Sequence, residues 1–292
     1  MIAARHLWLG MLAVCLGGPI QAQTPVEIAW KLKEGERLEV KMDDVEEMTL
    51  VALGQNLKTE QQMVATLTVE KLLADGSVLL SQRIDAIETR GGGPASAFMD
   101  RILNEIKGST IKLYLDSNFS VQKLEGTEEV IKRASDKAQL PPQAAALTNT
   151  LVTSTLLRPS ERVFGMRMPD KPVARGDKWS QRMTSTLGAL GKVTVVYEYA
   201  YRGSQDGKEA IDVKPTLTFA FDGGGGELAA KKADLRAETA KGNILFDRQA
   251  GKLLQTTMTM RIKGTLTISA MNQDIPLEID VKSQTQTQVT VK

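Results

Sequence analysis

From Leu254 to Val291 the sequence alternates. Leu254, Thr256, Met258, Met260 and Ile262 share one parity, and Gln255, Thr257, Thr259 and Arg261 the other. Leu266, Ile268 and Ala270 then alternate with Thr265, Thr267 and Ser269. After a turn at Asn272-Gln273-Asp274, Ile275, Leu277, Ile279 and Val281 alternate with Pro276, Glu278, Asp280 and Lys282, and Thr285, Thr287, Val289 and Val291 keep the phase. Successive side chains of a strand point to opposite faces, so a period of two means long strands with one apolar and one wet face. An apolar sheet face left open to water is unstable, so the sheet has to roll up or be covered. The rest of the chain must supply that cover.

The same pattern recurs upstream. Lys241–Gly264 reads as strand, turn over Asp247–Gly251, and longer strand, and Thr110–Gly126 is a weaker echo of it. Leu38, Val40 and Met42 alternate, as do Met63, Ala65, Leu67 and Val69, and Val78, Leu80, Ile84 and Ala86 continue beyond Asp75-Gly76. Asp-Gly supplies the positive φ angles of a tight hairpin turn, and the signal returns at Asp206-Gly207 after the stripe Val193, Val195, Tyr197, Tyr199 and Tyr201. Asp75 to Asp206 and Asp116 to Asp247 are both 131 residues apart, which suggests two related halves.

Between the halves the period changes to that of a helix. Phe98, Ile102 and Ile106 predict a helix over Ala95–Lys107, with Pro94 in its first turn and Gly108 as its C-terminal cap. A second starts at Thr127, with Glu128 and Glu129 at the positive end of its dipole, and stops at Pro141-Pro142. A third has Ala144, Leu147 and Leu151 on one side and runs to about Leu157, followed by a proline-bearing linker from Arg158 to Arg175. Residues Glu227–Thr239, behind the flexible turn Gly223–Gly226, read as a short helix or a mobile excursion. The expectation is a mainly β (α+β) fold: two related antiparallel halves, curved or half-barrel, with about three helices packed from the first half.

The first residues carry a different signal. Arg5 and His6 precede an apolar run, Leu7 to Leu16, and a small-residue site at Ile20-Gln21-Ala22. This is the pattern of a secretory signal peptide, too short to span a bilayer, with cleavage expected near Ala22 and a periplasmic or secreted product. Cys15 sits behind Val14, a poor fit to a lipid-attachment site. The expected division is 1–22 signal peptide, 23–165 first half with a helical insertion at about 94–157, and 166–292 second half. No other apolar run is long enough to form a transmembrane helix.

Cleavage would remove the only cysteine, Cys15, and the only histidine, His6. Disulfides, thiol nucleophiles, Ser-His-Asp triads and haem or zinc ligation would go with them. Carboxylate pairs, Ser–Lys pairs and all-oxygen calcium sites survive. With 37 basic and 35 acidic residues and no basic stripe, nucleic acid is not an expected partner. Asp43, Asp44, Glu46 and Glu47 form the densest acidic cluster; without EF-hand spacing it reads as a solvated loop, not a metal site. Asp116 and Asp247 could be a catalytic pair, but each sits where a strand enters a turn, a position at which Asp bonds its own backbone. No cofactor site and no catalytic residue is read.

The G-D-x-W opening at Gly176–Trp179 and the turn formed by Phe246, Asp247, Gly251 and Leu253 resemble a family of exported bacterial proteins of unknown function. The layout is also similar in architecture to the half-open barrels of bacterial lipoprotein carriers, which implies a curved sheet around an apolar cavity. Candidate ligand-binding residues are Tyr197, Tyr199, Tyr201, Met258 and Met260: an aromatic stripe, and soft side chains suited to flexible apolar ligands. The expectation is a non-enzymatic carrier of an apolar or lipid-like ligand. The alternatives are a scaffold for another envelope protein, or a carboxylate-based hydrolase.

Overall fold

Alternation becomes strands throughout the computed structural model, which describes residues 24–51, 54–91, 96–138, 145–186, 192–220, 229–270 and 273–292. The first five strands are β1 (Arg37–Leu50), β2 (Gln55–Leu72), β3 (Val78–Gly91), β4 (Thr110–Leu115) and β5 (Val121–Glu125). Six more follow: β6 (Lys178–Thr186), β7 (Lys192–Gln205), β8 (Lys208–Ala220), β9 (Ala229–Asp247), β10 (Lys252–Ala270) and β11 (Gln273–Val291). All pair antiparallel in one eleven-stranded sheet of order β5-β4-β3-β2-β1-β11-β10-β9-β8-β7-β6, with β5 and β6 as its edges. The sheet does not close into a barrel. Its two halves meet where β1 pairs with β11 from Leu38 opposite Val291 to Leu50 opposite Ile279.

The turns are held by the residues that mark them in the sequence. Asp206 and Gly207 both have positive φ, 50° and 75°, as a type I′ hairpin requires. Asp116 accepts hydrogen bonds from the Asn118 and Ser120 amides, and Asp247 from the Ala250 amide. Gly251, at φ 66°, lies so close to Lys31 that a Cβ would sit 2.6 Å from its backbone nitrogen. Ahead of β1 and of β6 one hydrogen-bond pattern appears twice. The Gly35 amide donates to Val69 and the Val69 amide to Glu36; Gly176 and Tyr201, with Asp177, repeat this.

Four expectations need correction. The cluster Asp43–Glu47 is not a loop but the middle of β1, where the phase of Leu38, Val40 and Met42 continues through Asp44, Glu46, Met48 and Leu50. From Ala229 onward, the stretch taken for a helix or excursion is strand β9, paired with β10. Leu254 falls out of the regular phase as the extra residue of a bulge between Leu253 and Gln255. The start of the expected linker is helical. The leader 1–22, Gly223–Gly226 and Pro141-Pro142 lie outside the described residues.

The helices are α1 (Ser96–Ile106), α2 (Thr127–Ala138) and α3 (Ala145–Phe164). Ile102, Leu103 and Ile106 of α1, Val130 and Ala134 of α2, and Val152, Leu156 and Val163 of α3 are buried against the inward rows of the first half, such as Leu38, Leu67, Leu80 and Leu113. Trp30 closes the end of this core, packing on Phe119, Phe164 and Phe246 with ring centroids 5.9, 5.0 and 5.4 Å away. α3 reaches side chains of β1, β2, β3 and β11, which a single helix can do only if the sheet curves around it.

α3 continues through Pro159, which lacks the amide a helix interior needs. Gln82 of β3, fully buried, repairs the ladder. Its Nε2 donates to the Leu156 carbonyl, and its Oε1 accepts from the Ser160 amide at 3.2 Å. In a regular helix those two groups would bond each other.

Candidate functional site

Beyond α3 the concave face of the long strands is apolar and only partly covered. Register places Met48, Val281 and Ile262 in one row across β1, β11 and β10, and Leu50, Ile279 and Gly264 in the next. The members of these rows are half-buried, and farther along β11 Ile275 is 40% exposed. The opposite, convex face of the same strands is charged. There Arg261 forks onto Asp280 at 3.0 and 2.7 Å, Lys263 lies 3.4 Å from Glu238, and Lys282 lies 3.7 Å from Glu47. Two opposite characters on one sheet leave an apolar wall facing into the curve.

The floor of this wall is polar and comes from α3. Arg158 and Arg162, one helical turn apart, both point at Asp44 of β1, with N···O distances of 3.6 and 3.5 Å. Arg158 also donates to Gln61 of β2, and Arg162 to Thr285 of β11 at 3.3 Å. Asp44 Oδ1 is buried and has no hydrogen-bond partner. Burial lowers the Arg158 pKa, with Arg162 adding to the effect and Asp44 opposing it. Glu161, on the same turn, is raised by desolvation against the pull of Arg162 and Arg158. Glu161 retains exposed surface and is still desolvated.

The residues expected to bind ligand separate here. Tyr199 and Tyr201 are buried. Tyr199 stacks on Trp179 at 5.3 Å and donates to Gln181, while Tyr201 donates to buried Glu209, whose other oxygen accepts from Arg248 at 3.0 Å. Burial raises both hydroxyls far above the usual tyrosine value, and Glu209 adds to this at Tyr201. Tyr197 is half-buried, packs against the core and shares the inward parity of Tyr199 and Tyr201. Met258 lies over Gly242 and packs on the core, and Met260 is half-buried one row farther out, opposite Ser283. Asp116 and Asp247 stay in separate turns, bonded to their own backbones. Sequence reasoning missed Asp44, Arg158, Glu161 and Arg162. A signal for them existed in the phase of Asp44 with Met42 and in the i, i+4 spacing of the arginines.

A separate groove of about 570 Å³ lies on the convex face at the end of the β8–β9 pairing, lined by Lys178, Lys214, Lys241 and Asn243 over Ala200 and Gly242. Among the described residues no cluster of three metal-ligating side chains occurs, and no helix is long and apolar enough to cross a membrane.

Residues 82–275 match a family described as "Family of unknown function (DUF6263)". No curated protein matches the chain. Among solved structures, DynF from the dynemicin biosynthesis pathway of Micromonospora chersina aligns at 8% identity and TM-score 0.20 over 92% of each chain. The COG4313 outer membrane channel from Pseudomonas putida F1 aligns at 9% identity and TM-score 0.24 over 91% of this chain and 99% of that one. At these scores neither likeness bears on fold or function.

Proposed function

The chain belongs to DUF6263, a family of unknown function, and from the geometry of its concave face we propose that it is a non-enzymatic carrier of an apolar, lipid-like ligand in the cell envelope. One observation carries this reading: the half-exposed rows Met48–Val281–Ile262 and Leu50–Ile279 face inward while the other side of the same strands is charged. Apolar area left uncovered costs roughly 25 cal/mol per Å² relative to burial, so a flexible apolar molecule laid along these rows recovers free energy. Met48, Met258 and Met260 adapt to chains of varying shape. The role needs no catalytic group, in keeping with a mature chain expected to lack histidine and cysteine. Export, with removal of 1–22, belongs to the same proposal.

Native mass spectrometry on protein exported and purified without detergent tests it. Discrete added masses that disappear on solvent extraction are the expected result. A clean apo mass, repeated after incubation with lipid extract, overturns the carrier reading.

A further inference from the structure

We infer that the ligand is an anionic amphiphile, with an oxyanion head held by Arg158 and Arg162 on the floor and an alkyl chain along the Met48–Leu50, Ile279–Val281 and Ile262 wall. This rests on the carrier reading and specifies its ligand. The chain shows how it builds a finished ion pair: on the open convex face Arg261 meets Asp280 in a fork of 3.0 and 2.7 Å. On the floor, at nearly the same side-chain exposure, the guanidiniums stop 3.6 and 3.5 Å from Asp44. A guanidinium carries five N–H donors. Among the described residues Arg158 and Arg162 each make one hydrogen bond, to Gln61 and Thr285. Their remaining donors leave the site incomplete, since two cations share one close carboxylate at ion-pair distances longer than a hydrogen bond.

The other titratable groups near the floor are Glu161, Glu46 and Tyr197. Desolvation raises the Glu161 pKa against the pull of Arg162 and Arg158, and its exposed side chain is screened by water. Glu46 stands one row farther out on β1 and is exposed, so water screens it. Tyr197 keeps its proton and remains a donor. The helix that carries the arginines is pinned between them: Pro159 and Ser160 lie at the Gln82 clamp. The site is therefore fixed before any ligand arrives. From Asp44 to Leu50 the strand rises roughly 20 Å at about 3.3 Å per residue, enough wall for a long alkyl chain.

Four probes decide the matter: oleate, oleyl alcohol of the same chain length, and acetate and inorganic phosphate as heads without a chain. They are titrated by calorimetry into the wild type, the Arg158→Gln/Arg162→Gln double variant, and Asp44→Asn. The wild type is expected to bind oleate at least about tenfold more tightly than oleyl alcohol, and the small anions far more weakly than either. The double variant should lose the preference while keeping its affinity for the alcohol, which also reports that it folds. Asp44→Asn removes the competing carboxylate and should tighten oleate severalfold, a gain that misfolding does not produce.

Equal wild-type affinity for oleate and oleyl alcohol overturns the anionic head and leaves the carrier reading standing. Acetate or phosphate binding as well as oleate overturns the amphiphile. An undiminished preference in the double variant, or an unchanged oleate affinity in Asp44→Asn, overturns the assignment to this floor. No binding of either long-chain probe overturns both the inference and the carrier reading.

Discussion

Gln82 is the residue on which the site's rigidity turns. A buried amide is tolerated because both its halves are used, one by the Leu156 carbonyl and one by the Ser160 amide. Gln82→Leu keeps the volume and removes both partners beside a proline that has already weakened the helix. Each orphaned group costs about 1–3 kcal/mol, so a loss of roughly 2–4 kcal/mol is expected, read as a lower urea midpoint at unchanged slope. An unchanged midpoint would mean that α3 closes its own ladder and owes nothing to β3. At this scale the sequence was legible wherever one residue's type decides a local geometry, as at Asp206-Gly207 and Asp247. It was opaque at Pro159, because proline stops a helix unless a distant side chain bridges the gap it opens, as Gln82 does between Leu156 and Ser160. Gln82 stands 74 residues away along the chain from Leu156.

The central strands β10 and β11 keep their two faces distinct through the charges on the convex side. Arg261 holds the Asp280 carboxyl below its ordinary pKa, chiefly by hydrogen bonding, with Lys263 and Lys282 adding to the attraction. A depressed carboxylate contributes stability that is fully present above the unfolded value of about 4 and is lost as pH falls through the folded value. The pair lies partly in water, so Asp280→Asn should cost about 1 kcal/mol or less at neutral pH. The difference from wild type should shrink as pH falls below about 4 and vanish once pH is below the depressed folded value, as measured by urea midpoints across pH. A difference that persists there would mean the aspartate acts through packing. Period-two alternation made these strands readable. It misled at Asp43–Glu47, where four carboxylates in five residues resemble a solvated loop although Asp44 holds an inward position and is met by two arginines. It also failed at the start of the expected linker, since Arg158 to Phe164 becomes helical only by packing on β1, β2, β3 and β11.

For the molecule as a whole, the deciding contact is the one no local pattern announces. β1 and β11 come from opposite ends of the described chain and pair along nearly the full length of β1, in the middle of the sheet. Each closes the unpaired edge of the other's half, and together they carry Asp44, Thr285 and the inward rows Met48–Val281 and Leu50–Ile279. The halves thus share one sheet, and the apolar wall exists only when both are present. Bringing such distant segments together costs loop entropy before any contact repays it, which points to slow folding with a late β1–β11 step. Removing residues 273–292 takes away the central strand and leaves β1 and β10 as long open edges above an apolar face. That truncated chain should lose its cooperative urea transition and aggregate, even though the β1–β5 and β6–β10 ladders remain intact in sequence. A soluble truncated chain with a sharp transition would mean that each half folds alone. The wall would then be assembled after folding instead of by it, and ligand binding, if retained, would have to belong to one half.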